Sequence, residues 1–590
     1  MCGILGFYRK DSLLDEHYFR SCLDMMNFRG PDDSGVEMLG ENLAFGQRRL
    51  SVIDLSSNGH QPMFSENCAH AIVFNGEIYN FKKLKVQLEG LGHKFCSNSD
   101  TEVILLGYVE WGLPSLLKRL KGMFSFVIYD KGKAQLLGAR DRFGMKPFYY
   151  FLSDQKFGFS SSLKSLRHLT NEGSTINNEA IIDYFNYGHI PNPLTVWEDH
   201  KKLPPAHYFQ FDIDKHKLSI DKYWSLEIGR MEIPLKEASK KFNELFEQSV
   251  QDHLVADVPV GLFLSGGYDS SAILDRMSQY TDDINTFSIG FEGTARSEHL
   301  IAERLADLYK THHQTLLIKS SDNPMDWMDD LVNYLDEPYA ISSMIPYFLI
   351  SKLAADHNKV VMVGDGGDEL LAGYNWHYHI ATVERDWWFK NQLRFIRHGG
   401  YVNFIAKKYA RVMGIPAKSD LAIFKNDIAN QIEGKGLRAY KNVYHKTGSM
   451  VKDMQWLDLT TFLPEPALTR ADRMSMASSL EVRVPFLDHE LFEFVFGLNP
   501  KSYFDSRTKK LLLAESLKQS KASFLLSLPK RGFSFQFMEV FKSKAVQSII
   551  ANEVKKWPSL FNDSYDLSRL SPLMNFKLLV FALWLKKNVS

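Results

Sequence analysis

The chain has 590 residues, and 70 Lys plus Arg balance 70 Asp plus Glu, so it carries no formal net charge. That length exceeds one hydrophobic core and, at roughly 100–200 residues per domain, predicts three to four units or two large ones. The lack of a basic bias argues against nucleic acid as a partner, and the lack of a polybasic block or a ~20-residue apolar run argues against a membrane.

In chain order, the first notable residue is Cys2. Removal of Met1 would leave a thiol and a free α-amine on one residue, an arrangement suited to a self-sufficient nucleophile. In the apolar run Cys2-Gly3-Ile4-Leu5-Gly6-Phe7 a small buried hydrophobe is the competing reading. The other cysteines, at 22, 68 and 96, form no C-x-x-C pair, which argues against a zinc or thioredoxin site. Reduced thiols in a cytoplasmic protein are expected.

The first third reads as β-rich. Ala71 to Phe74 runs into the turn dipeptide Asn75-Gly76. Met123 to Tyr129 and Ala134 to Gly138 flank Asp130-Lys131-Gly132 as a hairpin, and Phe148 to Leu152 pairs with Phe157 to Phe159 across a polar turn. Such hairpins predict antiparallel sheets. The breaker Leu203-Pro204-Pro205 and the polar stretch Asp214 to Lys222 mark a change of character. Beyond it strands alternate with helices: Val258 to Leu264, then Ala272 to Tyr280; Thr286 to Phe291, then Ser297 to Tyr309; and Val360 to Val363. Spacing places Leu300, Ile301, Leu305 and Leu308 on one helical face. The alternation predicts a mainly parallel sheet covered by helices. From about residue 380 the chain reads as helical, and Leu578 to Leu585 as a buried C-terminal helix.

Two glycine turns carry chemistry. Ser265-Gly266-Gly267-Tyr268-Asp269-Ser270-Ser271 follows a strand and opens a helix. Glycines let backbone approach a ligand, and amides at a helix N-terminus attract phosphate. Asp269 could hold Mg²⁺, which favours carboxylate and phosphate oxygens. The pattern is neither a Walker A loop nor G-x-G-x-x-G. Gly364-Asp365-Gly366-Gly367-Asp368-Glu369 follows another strand, and in a parallel sheet both turns would meet at one crevice. The plainer readings are a capped βα turn and a solvated acidic turn.

The first turn resembles the S-G-G-x-D-S pyrophosphate loop of the adenylating ATP pyrophosphatases. With Cys2-Gly3-Ile4, Arg29-Gly30-Pro31-Asp32-Asp33-Ser34-Gly35, Arg48 to Asp54, Phe74 to Asn80, Ser99-Asp100-Thr101-Glu102 and Ala139 to Pro147, the chain resembles the glutamine-hydrolysing asparagine synthetases over its length. Leu468 to Ala477, Leu480 to Asp488 and the lysine pair Lys509-Lys510 extend the match.

That resemblance implies an α/β protein whose N-terminal part is α+β. Residues 2–210 would form a class II glutamine amidotransferase domain, an antiparallel αββα sandwich of the N-terminal-nucleophile type. Residues 235–590 would form a parallel-sheet ATP-pyrophosphatase domain with a helical extension. By the same resemblance, Cys2 attacks the glutamine amide, Asn75 and Gly76 form the oxyanion hole, and Arg49 pairs with the glutamine carboxylate. Leu50, Ser51, Val52 and Ile53 line that pocket, and Glu77 and Asp100 hold the glutamine ammonium. The plain reading of Arg49 is a surface base, and of Asp100 a helix N-cap. ATP falls to Phe263, Ser265, Gly266, Gly267, Asp269, Ser270, Ile289, Val363 and Gly364, and Mg²⁺ to Asp269 and Asp368. Asp365 is the candidate for substrate or proton handling, and Lys510, with Lys509 as the alternative, for charge stabilisation.

The implied reaction is ATP-dependent amidation of aspartate through β-aspartyl-AMP, with ammonia from glutamine. The expected partners are glutamine, aspartate and ATP, with a second copy of the chain in a homodimer, and no prosthetic group. Tyr268, Asp365, Ala514 and Ser162 depart from the common family residues. Two alternatives follow: an amidotransferase acting on another carboxylate, such as a uronic acid, and a non-catalytic protein on the same scaffold.

Overall fold

The computed structural model describes residues 2–171, 175–293, 298–319, 321–386, 388–528, 538–562 and 565–589. Residues 3–222 build two six-stranded antiparallel sheets. One is ordered His200–Lys202, Tyr149–Leu152, Lys156–Ser160, Gly3–Arg9, Leu43–Arg49, Asp33–Met38. The other runs Lys217–Lys222, His207–Asp212, Gln135–Arg140, Gly122–Asp130, His70–Ile78, Met63–Phe64.

Strand periodicity explains why these sheets stack. In Gly3–Arg9, Ile4 and Tyr8 enter the apolar layer shared with Val73, Val127 and Phe209 of the second sheet. The intervening Leu5 and Phe7 pack with Phe19, Cys22 and Leu23 of the helix Glu16–Asp24. In His70–Ile78, Val73 faces the first sheet, whereas Ile72, Phe74 and Ile78 join Leu84, Leu88 and Val103 of the covering helices. Helix, sheet, sheet, helix is therefore the order of layers. The expected hairpins are present, and the second sheet extends through Lys222.

The second half is built on a parallel sheet ordered His312–Ile318, Asn285–Phe291, Val260–Phe263, Val360–Met362, Glu481–Arg483. Helices Tyr268–Met277 and His299–Tyr309 follow the central strands. The latter presents a different face from the one expected: Ala302, Leu305, Ala306 and Tyr309 are buried, while Leu300 is 65% and Leu308 40% exposed. The small alanines let the helix approach the sheet, and that decides which stripe is covered. Ser297, placed at its start by spacing, lies outside the described residues.

Beyond residue 375 the described chain is mainly helical, interrupted by the edge strand Glu481–Arg483. A wide-turned stretch, Asp458–Ala467, carries Pro464 and Pro466 and leads into the regular helix Leu468–Met476. Proline removes helix hydrogen bonds and widens the local turn. The C-terminal helix Pro572–Asn588 is buried from Met574 to Leu585, as expected. Among the described residues no helix is long and apolar enough to cross a membrane. One apolar cluster runs through both halves, joining Phe143 to Phe492 with ring centroids 4.8 Å apart.

Candidate active sites

Cys2 precedes the first strand and is 7% exposed. Its backbone N–H donates to Asn75 Oδ1 at 2.9 Å. The period of two that buries Val73 between the sheets carries Asn75 and Glu77 to the same side. Asn75 Nδ2 donates to Ser161 Oγ at 3.3 Å, so the amide is oriented from both ends. Gly76 has no room for a side chain, since an added Cβ would lie 2.0 Å from the Met123 carbonyl oxygen. Burial raises the Cys2 thiol above its usual pKa, and the Leu50 N–H and the Arg49 charge oppose that rise.

Arg49 is buried, not a surface base. Its guanidinium donates to the carbonyls of Asp54 at 2.5 Å, Ile53 at 3.1 Å and Ser56 at 3.2 Å. The segment Leu50, Ser51, Val52 and Ile53 is therefore wrapped around that side chain, and all four are buried. Residues of the second half pin it: Asp257 N–H donates to Val52 O at 2.9 Å, and Asp54 N–H to Asp257 Oδ2 at 2.8 Å. Ser51 N–H donates to Asp32, which also pairs with Lys359 at 2.7 Å.

Asp100 is the first residue of its helix, and the N-cap is Ser99, whose side chain accepts from Thr101 N–H. This corrects the N-cap reading of Asp100. Its carboxylate instead accepts from Ile78 N–H at 2.8 Å. Burial pushes Asp100 up to about 6; the Ile78 N–H opposes that and the Glu481 charge adds to it. Glu77 is driven well above the usual carboxylate range by burial, then by Glu481 and Asp100. Glu77 Oε2 makes no hydrogen bond among the described residues; it faces Arg483 Nη2 at 3.5 Å. Buried carboxylates this close together suit a cationic ligand group.

Glu481 and Arg483 were missed as site residues by sequence reasoning. They alternate on the edge strand Glu481–Arg483, both fully buried, with Arg483 Nε on Glu481 Oε1 at 2.7 Å. Charged residues two apart in an apolar strand were the available signal.

In the second half, Phe263, Ser265, Gly266, Gly267, Asp269, Ser270, Ile289, Val363 and Gly364 all line one cavity of about 630 Å³, with Asp365, Asp368, Lys509 and Lys510. It opens where the parallel strands end, as the crevice rule requires. The Ser265 and Ser270 hydroxyls lie 3.1 Å apart across the turn, and Gly267 caps the helix Tyr268–Met277 without a side-chain bond, so its first amides face the turn. The two glycine turns touch: a Cβ on Gly364 would lie 2.8 Å from Asp269 Cβ.

Lys510 is 2% exposed, and its Nζ bridges Asp269 Oδ2 at 2.5 Å and Asp368 Oδ1 at 2.7 Å. Lys509 Nζ contacts Asn375 Oδ1 at 3.0 Å. Among the described residues no group of three or more His, Cys, Asp or Glu could hold a metal alone. Asp269 and Asp368 fit Mg²⁺ in a different way, as one or two carboxylates supplemented by substrate phosphates. Asp365 is held by Arg470 Nη2 at 2.8 Å and by Tyr347 OH at 3.3 Å. Glu369, a wall of the same cavity, was not singled out from sequence. It is 2% exposed, accepts from Tyr374 OH at 2.8 Å, and is pushed up to about 8 by burial, then by Asp368 and Asp458.

The helix Leu468–Met476 stands between the two sites. At 100° per residue, Asp472 projects nearly opposite to Arg470. Arg470 faces the cavity, while Asp472 pairs with Arg29 and Arg473 donates to Ser161 O at 3.2 Å.

Comparison with known proteins agrees with this division. Residues 241–579 match the family model described as asparagine synthase, and residues 1–224 match that of a glutamine amidotransferase domain. The chain is 31% identical to "Asparagine synthetase [glutamine-hydrolyzing] 1" of Bacillus subtilis, over 94% of this chain and 89% of that protein. It is 34% identical to "Putative asparagine synthetase [glutamine-hydrolyzing] 2" of Methanocaldococcus jannaschii, over 73% of this chain and 83% of that one. It is also 27% identical to "Amidase chry2" of Gibberella zeae, over 90% of this chain and 88% of the other.

Proposed function

The chain belongs to the asparagine synthase family, as a glutamine-hydrolysing, ATP-dependent ligase, and from that premise we propose that it makes asparagine from aspartate. The glutaminase is assigned to residues 2–210 and the synthetase to 235–590, with the edge strand Lys217–Lys222 completing the second sheet between them.

In this reading Met1 is removed, and the Cys2 thiolate attacks the glutamine side-chain amide while its α-amine carries the proton. Asn75 and the Gly76 N–H stabilise the tetrahedral oxyanion. Ammonia leaves, and water releases glutamate from the thioester. Arg49 takes the glutamine carboxylate, and Glu77 and Asp100 take its ammonium. In the 630 Å³ cavity the turn Ser265 to Ser270 holds the pyrophosphate end of ATP, with Phe263, Ile289, Val363 and Gly364 around the nucleotide. The aspartate β-carboxylate displaces pyrophosphate at the α-phosphorus. Ammonia then adds to the acyl carbon, loses a proton and expels AMP. Adenylation is needed because a bare carboxylate is a poor electrophile. Mg²⁺ on Asp269 and Asp368 would neutralise phosphate charge. Lys510 supplies positive charge beside the transferring group, and Asp365 orients the acceptor through Arg470.

The observation that carries this reading is the convergence of both glycine turns and Lys510 on one cavity, with Cys2 and Asn75 in contact in the other half. The test is which carboxylic acid stimulates pyrophosphate release from Mg-ATP. Aspartate should do so and, with glutamine, yield asparagine; amidation of another acid without asparagine overturns the reading.

One observation favours a second acceptor class. Tyr374, Trp376 and Phe462 line the same cavity, and the Tyr374 and Trp376 rings stack at 4.0 Å. Aromatic faces suit a cyclic carboxylate such as a uronic acid, which belongs in the same assay. A non-catalytic protein has no use for the buried charges at either site.

A further inference from the structure

A separate cavity of about 320 Å³ lies between the helix Leu163–Thr170 and the last turn of the C-terminal helix Pro572–Asn588. Neither site described above uses it. Lys164, Arg167 and His168 line it from one helical face, at spacings of three and four, and Lys587 lines it from the other side.

The cations are unevenly paired. Lys587 contacts Asp329 at 3.0 Å. Among the described residues neither Lys164 nor Arg167 has a carboxylate within ion-pair distance. Arg167 lies over the Trp197 ring at 3.7 Å and donates to Asn588 O at 3.0 Å. Burial lowers its pKa. The acid on the wall, Asp336, is already committed: it accepts from Ser162 Oγ at 2.7 Å and from the Leu163 and Lys164 N–H groups at 3.0 and 3.2 Å, and it pairs with Arg473.

A neutral donor completes the set. Trp584 is fully buried and lines the cavity, and its indole N–H finds no acceptor among the described residues. Leaving a buried donor without an acceptor is costly, and the adjoining cavity has room for one. Helix dipoles account for Arg167, His168 and Lys587, which sit in last turns. They do not account for the indole, nor for the Lys164 ammonium, which stands in a first turn whose amides Asp336 caps but forms no ion pair among the described residues.

We propose that this cavity binds a small molecule bearing an oxyanion group, phosphate or carboxylate, held by Lys164 and Arg167 with the Trp584 N–H as third donor. The full chain is titrated calorimetrically with inorganic phosphate in one arm and succinate in the other. The same titrations are run on Arg167→Gln, Lys164→Gln and Trp584→Phe. The wild type should bind at least one anion, and the arm that responds identifies the group. Either charge variant should weaken that binding at least ~10-fold, and Trp584→Phe about fivefold. Lys164 is exposed, so its variant controls for misfolding of the others. Anion binding that is unchanged in both charge variants belongs to another site and overturns the proposal. Failure of the wild type to bind either anion overturns it equally.

Discussion

Arg29 lays both guanidinium arms on the Asp472 carboxylate, at 2.8 and 3.0 Å, while its Nε donates to the Cys2 carbonyl at 3.1 Å. Both side chains are buried, Arg29 completely. A residue of the synthetase half thus fixes the backbone of the candidate nucleophile. Breaking such a pair leaves an uncompensated buried charge, at a cost of ~3–5 kcal/mol. Asp472→Asn should lower the melting temperature and impair glutamine hydrolysis, although residue 472 is far from Cys2 in sequence. A melting curve together with a glutaminase assay checks this; full glutaminase activity in that variant would contradict the coupling.

Cys2→Ala should abolish glutamate formation, by at least ~10³-fold. Asparagine formation from added ammonia should persist, because the second cavity is intact. An intact-mass measurement of the wild type should show loss of Met1; a retained methionine with full glutaminase activity would refute the α-amine role.

Lys510→Met should suppress acid-stimulated pyrophosphate release by about 10²-fold or more and leave glutamine hydrolysis in place. Lys509→Met should have the smaller effect, since its ammonium contacts Asn375 whereas that of Lys510 bridges Asp269 and Asp368. Pyrophosphate assays on the two variants, side by side, decide between the lysines.

Glu369 gives a pH signature. Burial, with Asp368 and Asp458, pushes its carboxyl up to about 8 in the folded chain, whereas the unfolded carboxyl titrates near ~4.3. Between those values the folded state binds the extra proton. Stability from this group is therefore complete below ~4.3 and declines as pH rises toward 8. Glu369→Gln cannot titrate and should flatten that part of the profile. Melting temperatures at about pH 5 and about pH 8 measure the difference; an unchanged slope would contradict the assignment.

Much of this architecture was legible in the sequence because the signals were local. Hairpins at 123–138 and 148–159 announced antiparallel sheets, and the two glycine turns announced where a parallel sheet would end. Every residue expected at the nucleotide lines a single cavity. What was not legible depends on distant partners. The plain alternative for Arg49, a surface base, is set aside only by the 53–56 carbonyls that fold around it. Ser99 rather than Asp100 caps its helix, which leaves Asp100 for Ile78. Glu481 and Arg483 read as core until their strand is seen against Glu77. The exposed Leu300 shows that spacing alone does not choose which stripe a sheet will cover.

The pinning of the Leu50–Ile53 segment by Asp257 and, through Asp32, by Lys359 bears on engineering. An excised 2–210 fragment would lose the edge strand Lys217–Lys222 of its second sheet, cut the strand His207–Asp212, and leave the wall Leu50–Ile53 of its candidate glutamine pocket without those pins. Grafting this glutaminase onto a foreign ligase would therefore require transplanting the acceptor surface as well. In that respect the chain is a mortise and tenon cut together, and neither piece is an interchangeable part.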